Sequence, residues 1–221
     1  MASRNAHVRQ VPLDGLAGRL VRGRNTIITV NSNDPPERRR FSIGHELGHL
    51  EMHAQLDQTY ACTPRDMDDY RRSPVERQAN HFAACLLMPE GLFRREVRFD
   101  KPSIHDVIGV AKTFGTSLTA AALRLVELSG EAAAVVMTRK TGIDWVISNP
   151  HFDCAIDRRL PRLNEYSFAY DAAHKGIRQE QPLEVDGDTW LYFDLRGRKL
   201  LESSVPVGAF GALSVLWMRE R

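Results

Sequence analysis

Two histidines and a glutamate within five residues, His45-Glu46-Leu47-Gly48-His49, are the first chemically suggestive feature of this sequence. Histidines four apart on a helix project from one face about a turn apart, so both imidazoles can reach one cation. Glu46 then falls beside that cation, where a carboxylate can take the proton of a water attacking a carbonyl. Zinc lowers the pKa of a bound water to about 7, which suits this chemistry. A pattern of five residues also arises by chance. The plain alternative is a surface helix carrying two solvated histidines.

A catalytic zinc takes three protein ligands and leaves the fourth position to water. Glu76 is the best candidate for the third. It falls in the first turn of a second expected helix, with Asn80 four residues on along the same face. The Asn80 amide oxygen could accept the other N–H of His45 or His49 and fix its tautomer. Taken alone, Glu76 reads more simply as an acidic residue stabilising a helix N-terminus. His53 continues the histidine face, but at ~1.5 Å per residue it lies about 12 Å along the axis from His45. Three consecutive turns cannot converge on one ion through ~2 Å bonds. His53 therefore reads as a support for a ligand or as structural. Zn²⁺ suits such a mixed set, and Mn²⁺ or Fe²⁺ is also acceptable to it.

These residues need elements to position them. Thr26-Ile27-Ile28-Thr29-Val30 is a β-branched run and predicts a strand; NSNDPPERRR after it predicts a loop. Ile43, Leu47, Leu50 and Ala54 share one face of a helix from Phe41, with Ser42 as a cap near its start. Residues 55–73 lack periodicity and predict a long exposed loop. Ser73-Pro74 opens the second helix, which stops before Pro89. Residues 103–128 predict two short helices joined at Gly115-Thr116. After Ser129-Gly130 the strand-like runs AAAVVMT, WVIS, TWLYFDL and ALSVLWM flank a helical LNEYSFAYDAAHKG.

Composition narrows the class. The chain has 221 residues, 43% hydrophobic and 26% charged, enough apolar material for a core. No apolar run approaches the roughly 18–20 residues that span a bilayer, and MASRNAHVRQVPLDG lacks the apolar region of a secretory leader. A net charge of +2 gives no argument for a nucleic-acid or membrane partner. Cys62, Cys85 and Cys154 are too few and too scattered for a disulfide framework or a metal clip, and free thiols suit a reducing cytoplasm. Cys85 is expected to pack as a small hydrophobe.

The run ITVNSNDPPERRRFSIGHELGHLEMH, followed by VERQANHFAACLLMP, resembles the ImmA/IrrE family of bacterial metallopeptidases. The match in the second run is carried by Glu76, Ala79, Asn80, Phe82, Ala83, Leu86, Leu87, Met88 and Pro89. It is detailed over residues 20–90 and weaker to the C-terminus. The resemblance implies metal binding by His45, His49 and Glu76 in a gluzincin-like site, with Glu46 as general base. It also implies a protein substrate, a helix-turn-helix repressor whose cleavage switches on stress-response, DNA-damage-response or mobile-element genes. Longer IrrE-like members continue into a helix-turn-helix-like segment and a GAF-like module. The expected fold is therefore α+β: a mostly helical HExxH metallopeptidase domain with a small sheet (1–100), a helix-turn-helix-like helical segment (101–130) and a GAF-like α+β module (131–221). Little chain precedes Thr26, so part of the usual N-terminal helical packing is expected to be missing.

Other features have plainer readings. The helix SLTAAALRLVEL carries Arg124 as its only basic residue, too little to neutralise phosphates, so packing is expected there rather than DNA binding. Arg38-Arg39-Arg40 predicts a solvated face. Tyr60 could donate to an oxyanion, although a mobile surface tyrosine is the simpler reading. Trp145, Trp190, Tyr192, Phe193 and Trp217 are core or the lining of a small-ligand pocket. Against the enzyme stand two alternatives: a regulatory module that binds a repressor without cutting it, and a DNA-binding regulator with a structural metal.

Overall fold

The β-branched run forms a strand, Thr26–Asn31, and two further strands that the sequence pattern does not announce precede it. The structure, a computed structural model, describes residues 5–54, 59–64, 74–97, 99, 101–153, 156, 163–191, 198–209 and 211–218. The chain divides into two compact units, Met1–Glu90 with Phe114–Ser117, and Gly91–Thr113 with Leu118–Arg221.

In the first unit β1 (Ala6–Val11), β2 (Gly18–Val21), β3 (Thr26–Asn31) and β4 (Thr59–Cys62) form a sheet in the order β1-β3-β2-β4. β1 runs parallel to β3, and β2 is antiparallel to both of its neighbours. Helix α1 (Pro36–Met52) lies on this sheet. Its expected apolar face, Ile43, Leu47 and Leu50, packs against the buried Leu20, Ile28 and Val30. Helix α2 is Pro74–Leu87.

α1 starts earlier than the sequence suggests. Pro35 stands at its N-cap and Pro36 in its first turn, with Glu37 beside them. Proline there already has the helical φ and loses no hydrogen bond, and the acidic group suits the helix N-terminus. Ser42, expected near the start, is thus inside the helix and fully buried. The three arginines are not simply a solvated face. Arg38 donates to the Pro64 carbonyl (3.2 Å), Arg39 to Gln10 Oε1 (2.8 Å) and Arg40 to the Phe114 carbonyl (2.9 Å). The expected loop 55–73 contains β4; residues 55–58 and 65–73, the Ser73 cap among them, lie outside the described residues.

In the second unit, apart from the end residues Glu90 and Phe114, α3 (Glu90–Glu96), α4 (Ile104–Phe114) and α5 (Leu118–Leu128) precede a five-stranded antiparallel sheet. Its strands are β5 (Ala132–Arg139), β6 (Gly142–Ser148), β7 (Gln179–Asp186), β8 (Lys199–Val207) and β9 (Gly211–Met218), in the order β6-β5-β9-β8-β7. Helix α6 (Phe168–Lys175) is capped by Ser167, whose side chain accepts from Tyr170 N, and ends at Gly176 with φ 70°. Its Ala169, Ala172 and Ala173 join Trp190, Leu200 and Leu216 in the core. On α5, Arg124 is buried and pairs with Glu127 at 2.8 Å.

One expected strand, TWLYFDL, differs. Gly187–Thr189 is a short 3-10 turn and Trp190 follows it, while Tyr192 and Phe193 lie outside the described residues, as does Cys154. Trp190 and Trp217 are buried. Among the described residues no helix is long and apolar enough to cross a membrane.

Candidate metal centre

Two glycines set how closely the helices meet. A Cβ on Gly44 would stand 3.2 Å from the Cβ of Ala83, and one on Gly48 would stand 3.1 Å from the Cα of Ala79. Glycine on α1 facing alanine on α2 lets the backbones approach. The residues beside those glycines, His45 and His49, then meet Glu76 and Asn80 of α2. All four are buried.

His45 Nε2 and His49 Nε2 are 3.0 Å apart. Glu76 Oε2 lies 3.2 Å from the first and 3.5 Å from the second. Ligands on a tetrahedral zinc with bonds near 2.05 Å are about 3.3 Å apart, so these three atoms have the spacing of such a shell.

The surrounding hydrogen bonds fix which lone pairs face inward. His45 Nδ1 donates to Asn80 Oδ1 at 2.9 Å. His53 Nε2 donates to Gln78 Oε1 (2.9 Å), which leaves its Nδ1 to accept from His49 Nδ1 (3.0 Å). When both rings are neutral, this pairing holds each Nε2 unprotonated toward Glu76. Three lone-pair atoms facing one another at this range, out of water, repel unless a cation joins them. The donor set fits a divalent metal. His53 supports His49 and stands outside the triad, at the C-cap of α1.

Electrostatics agree. Burial would raise the Glu76 carboxyl, but the rings of His45 and His49 against it and the hydroxyl of Tyr60 outweigh that and hold the group well below the usual carboxylate range. Burial holds His49 below its ordinary value, which favours the neutral, metal-binding ring. Glu46 is fully buried beside the triad, and burial pushes its carboxyl up to about 8, with the Cys62 thiol and Arg22 partly opposing. Arg22 donates to the carbonyls of His49 (2.8 Å) and His53 (3.0 Å), closing the C-terminal end of α1.

Tyr60 is no mobile surface side chain. Its hydroxyl donates to Glu76 Oε1 and its ring packs 4.7 Å from that of His49. Two neighbours of the triad are missed by reading the sequence. Cys62 is buried, and with His45, His49 and Glu76 it forms a group whose ligand atoms all lie within 4.8 Å of one another. Gly18 stands opposite Cys62 in the sheet and against the Glu46 carboxylate. The alternation of Thr59-Tyr60-Ala61-Cys62 is the one available signal for Cys62; nothing local marks Gly18.

A helix presenting HExxH histidines to a carboxylate on a second, closely packed helix is an arrangement of metallopeptidases. The chain belongs to the peptidase family described as the IrrE N-terminal-like domain, whose model matches residues 2–126. Among solved structures, a Mycobacterium tuberculosis transcriptional regulator matches with a TM-score of 0.60 at 15% identity, covering 96% of this chain and 74% of its own. At that identity the likeness is one of fold. Comparison with curated proteins finds no significant match.

Proposed function

We propose that this protein is a cytoplasmic zinc-dependent endopeptidase that cleaves a helix-turn-helix repressor, inducing stress-response, DNA-damage-response or mobile-element genes. The observation that carries the reaction class is the triangle of His45 Nε2, His49 Nε2 and Glu76 Oε2, with edges of 3.0, 3.2 and 3.5 Å and a buried carboxylate next to it. Family membership supports the peptidase class; the repressor substrate rests on the ImmA/IrrE resemblance.

In this reading His45, His49 and Glu76 hold the ion. A bound divalent cation supplies Lewis acidity, polarising a carbonyl and acidifying water. Glu46 takes the proton of the attacking water and returns it to the leaving amine. Its position out of solvent raises its basicity, as a general base working near neutral pH requires. Asn80 and His53 hold the two imidazoles in the tautomers that present Nε2. Tyr60 orients Glu76 through Oε1, leaving Oε2 for the ion.

The test is incubation of the purified zinc-loaded protein with a candidate repressor. A discrete fragment, absent with chelator and absent with Glu46→Gln, supports the enzyme. Cleavage by Glu46→Gln refutes the role of Glu46. A second reading, a regulator that binds without cutting, is favoured only by the fold likeness to a mycobacterial protein described as a transcriptional regulator. A stoichiometric complex without fragments would replace the first reading with it.

A further inference from the structure

Both polar groups on the inner face of β4 are turned to the ligands. Side chains alternate along a strand, so Tyr60 and Cys62 share the inner face while Thr59 and Ala61 are exposed. The Tyr60 hydroxyl is engaged by Glu76. Cys62 is 1% exposed, and its sulfur completes the group of four ligand atoms that lie within 4.8 Å of one another. Strand pairing fixes it there. Cys62 is the register partner of Gly18, and its carbonyl accepts from Ala17 N at 2.9 Å. Beside it Glu46 is fully buried, with the Cys62 thiol against its carboxylate. A thiol and a carboxylate enclosed with three ligands make a costly core but suit a coordination shell.

We propose that Cys62 is a fourth protein ligand, which binds the metal as thiolate and closes the shell in the resting protein. The inference rests on the reading of His45, His49 and Glu76 given above. On ligation the S–H bond breaks, a metal–sulfur bond forms, and the proton is released to water. Four protein ligands leave no position for water, as in structural zinc sites, whereas catalytic sites keep one open. Cys62 is thus a latch. Cleavage requires the sulfur to take up a proton and withdraw, which opens the position to water. A soft thiolate also selects Zn²⁺ over Mn²⁺.

The experiment is a Co²⁺ titration of the purified, metal-free, full-length protein, followed by absorption. A near-ultraviolet thiolate-to-cobalt charge-transfer band is expected to saturate at one equivalent. It disappears in Cys62→Ala and Cys62→Ser and persists in the Cys85→Ser/Cys154→Ser double variant. Zn²⁺ affinity, measured by chelator competition, falls in Cys62→Ala by at least about tenfold, the loss typical when a group that tunes a metal is removed. With repressor as substrate, zinc-loaded Cys62→Ala cuts faster than the unaltered protein. Absence of the band from the unaltered protein overturns the latch and leaves Cys62 as packing; this outcome needs no variant to fold. Cleavage by that same protein would leave the peptidase reading standing. A band without cleavage by either protein would keep the ligand and refute the peptidase.

Discussion

Gly18→Ala separates the proposed base from the proposed ligands. The three atoms nearest to a Cβ built at position 18 all belong to Glu46: it overlaps Oε1 and stands 3.1 Å from both Cγ and Cδ. Restoring ordinary contact displaces the carboxylate by about 1 Å. Gly18 is not among the glycines with positive φ, so alanine brings no backbone strain. Narrowing the freedom of the unfolded chain is worth about 0.4–1 kcal/mol in its favour. The carboxylate is the end of a flexible side chain, so its displacement consumes little of that gain. A misplacement of about 1 Å in a catalytic group costs about 10²-fold in rate, or roughly 2.7 kcal/mol of barrier at 1.36 kcal/mol per tenfold. Three measurements on one preparation check this: thermal unfolding, Zn²⁺ affinity by chelator competition, and initial rate of repressor cleavage. We expect a melting temperature at or slightly above that of the unaltered protein, unchanged affinity, and a rate reduced by about 10²-fold. Cleavage at the unaltered rate would refute the placement of the base. Loss of metal together with rate would refute the claim that Gly18 serves Glu46 alone.

Other perturbations reach different parts of the structure. Asn80→Ala removes the acceptor of His45 Nδ1 and is expected to weaken metal binding by about 10–100-fold in a chelator titration; unchanged affinity contradicts the tautomer assignment. Gly48→Ala brings a Cβ to 3.1 Å from the Cα of Ala79 and 3.2 Å from the Cβ of Phe82. Overpacking at about 1–3 kcal/mol, less the about 1 kcal/mol that alanine gains over glycine in a helix, predicts a net loss of up to about 2 kcal/mol in urea unfolding. A rise in the urea midpoint would contradict it. Tyr60→Phe weakens metal binding through Glu76, and saturating Zn²⁺ restores the cleavage rate; a deficit that metal cannot repair would place the phenol on the reaction itself. Burial raises the Glu202 carboxyl although Trp190 Nε1, Ser204 Oγ and Ala169 N all donate to it. With the folded pKa above the unfolded one, its contribution is full below the ordinary carboxylate pKa and is lost as pH rises through the folded value. The stability difference between the unaltered protein and Glu202→Gln should therefore shrink as pH rises from about 4, and parallel pH profiles would refute this.

Helices with one strongly patterned face are legible in the sequence. Spacing alone puts Ile43, Leu47 and Leu50 on one side of α1, and they cover Leu20, Ile28 and Val30. Pro74 and Pro89 bracket α2, and Gly115-Thr116 separates α4 from α5. Two of the elements that escape lack such patterning. β1 has five exposed residues of six, and β7, QEQPLEVD, is polar along most of its length. Such strands are held by partners distant in sequence, β1 by β3 and β7 by β8, and short-range periodicity cannot announce them. The start of α1 is misplaced from sequence because its two prolines look like breakers, whereas proline in a first helical turn is a start.

The candidate site divides along the same line. His45, Glu46 and His49 are legible because a helix turns sequence spacing into spatial spacing, and Glu76 with Asn80 for the same reason one helix later. Gly44 and Gly48 are legible in principle as the counterpart of Ala83 and Ala79, since close helix approach needs small residues on both sides. Gly18, Tyr60 and Cys62 reach the site by another route. They arrive through the pairing of β2 with β4, in which Gly18 faces Cys62 and Leu20 faces Tyr60. A shift of that register by one residue would turn Tyr60 and Cys62 outward and put the exposed Thr59 and Ala61 in their place. The helices therefore set which atoms can hold an ion, and the sheet register sets what surrounds the carboxylate beside it. The first of these is written in one stretch of chain at a time. The second exists only after β2 has paired with β4, with β3 and the whole of α1 lying between them in the chain.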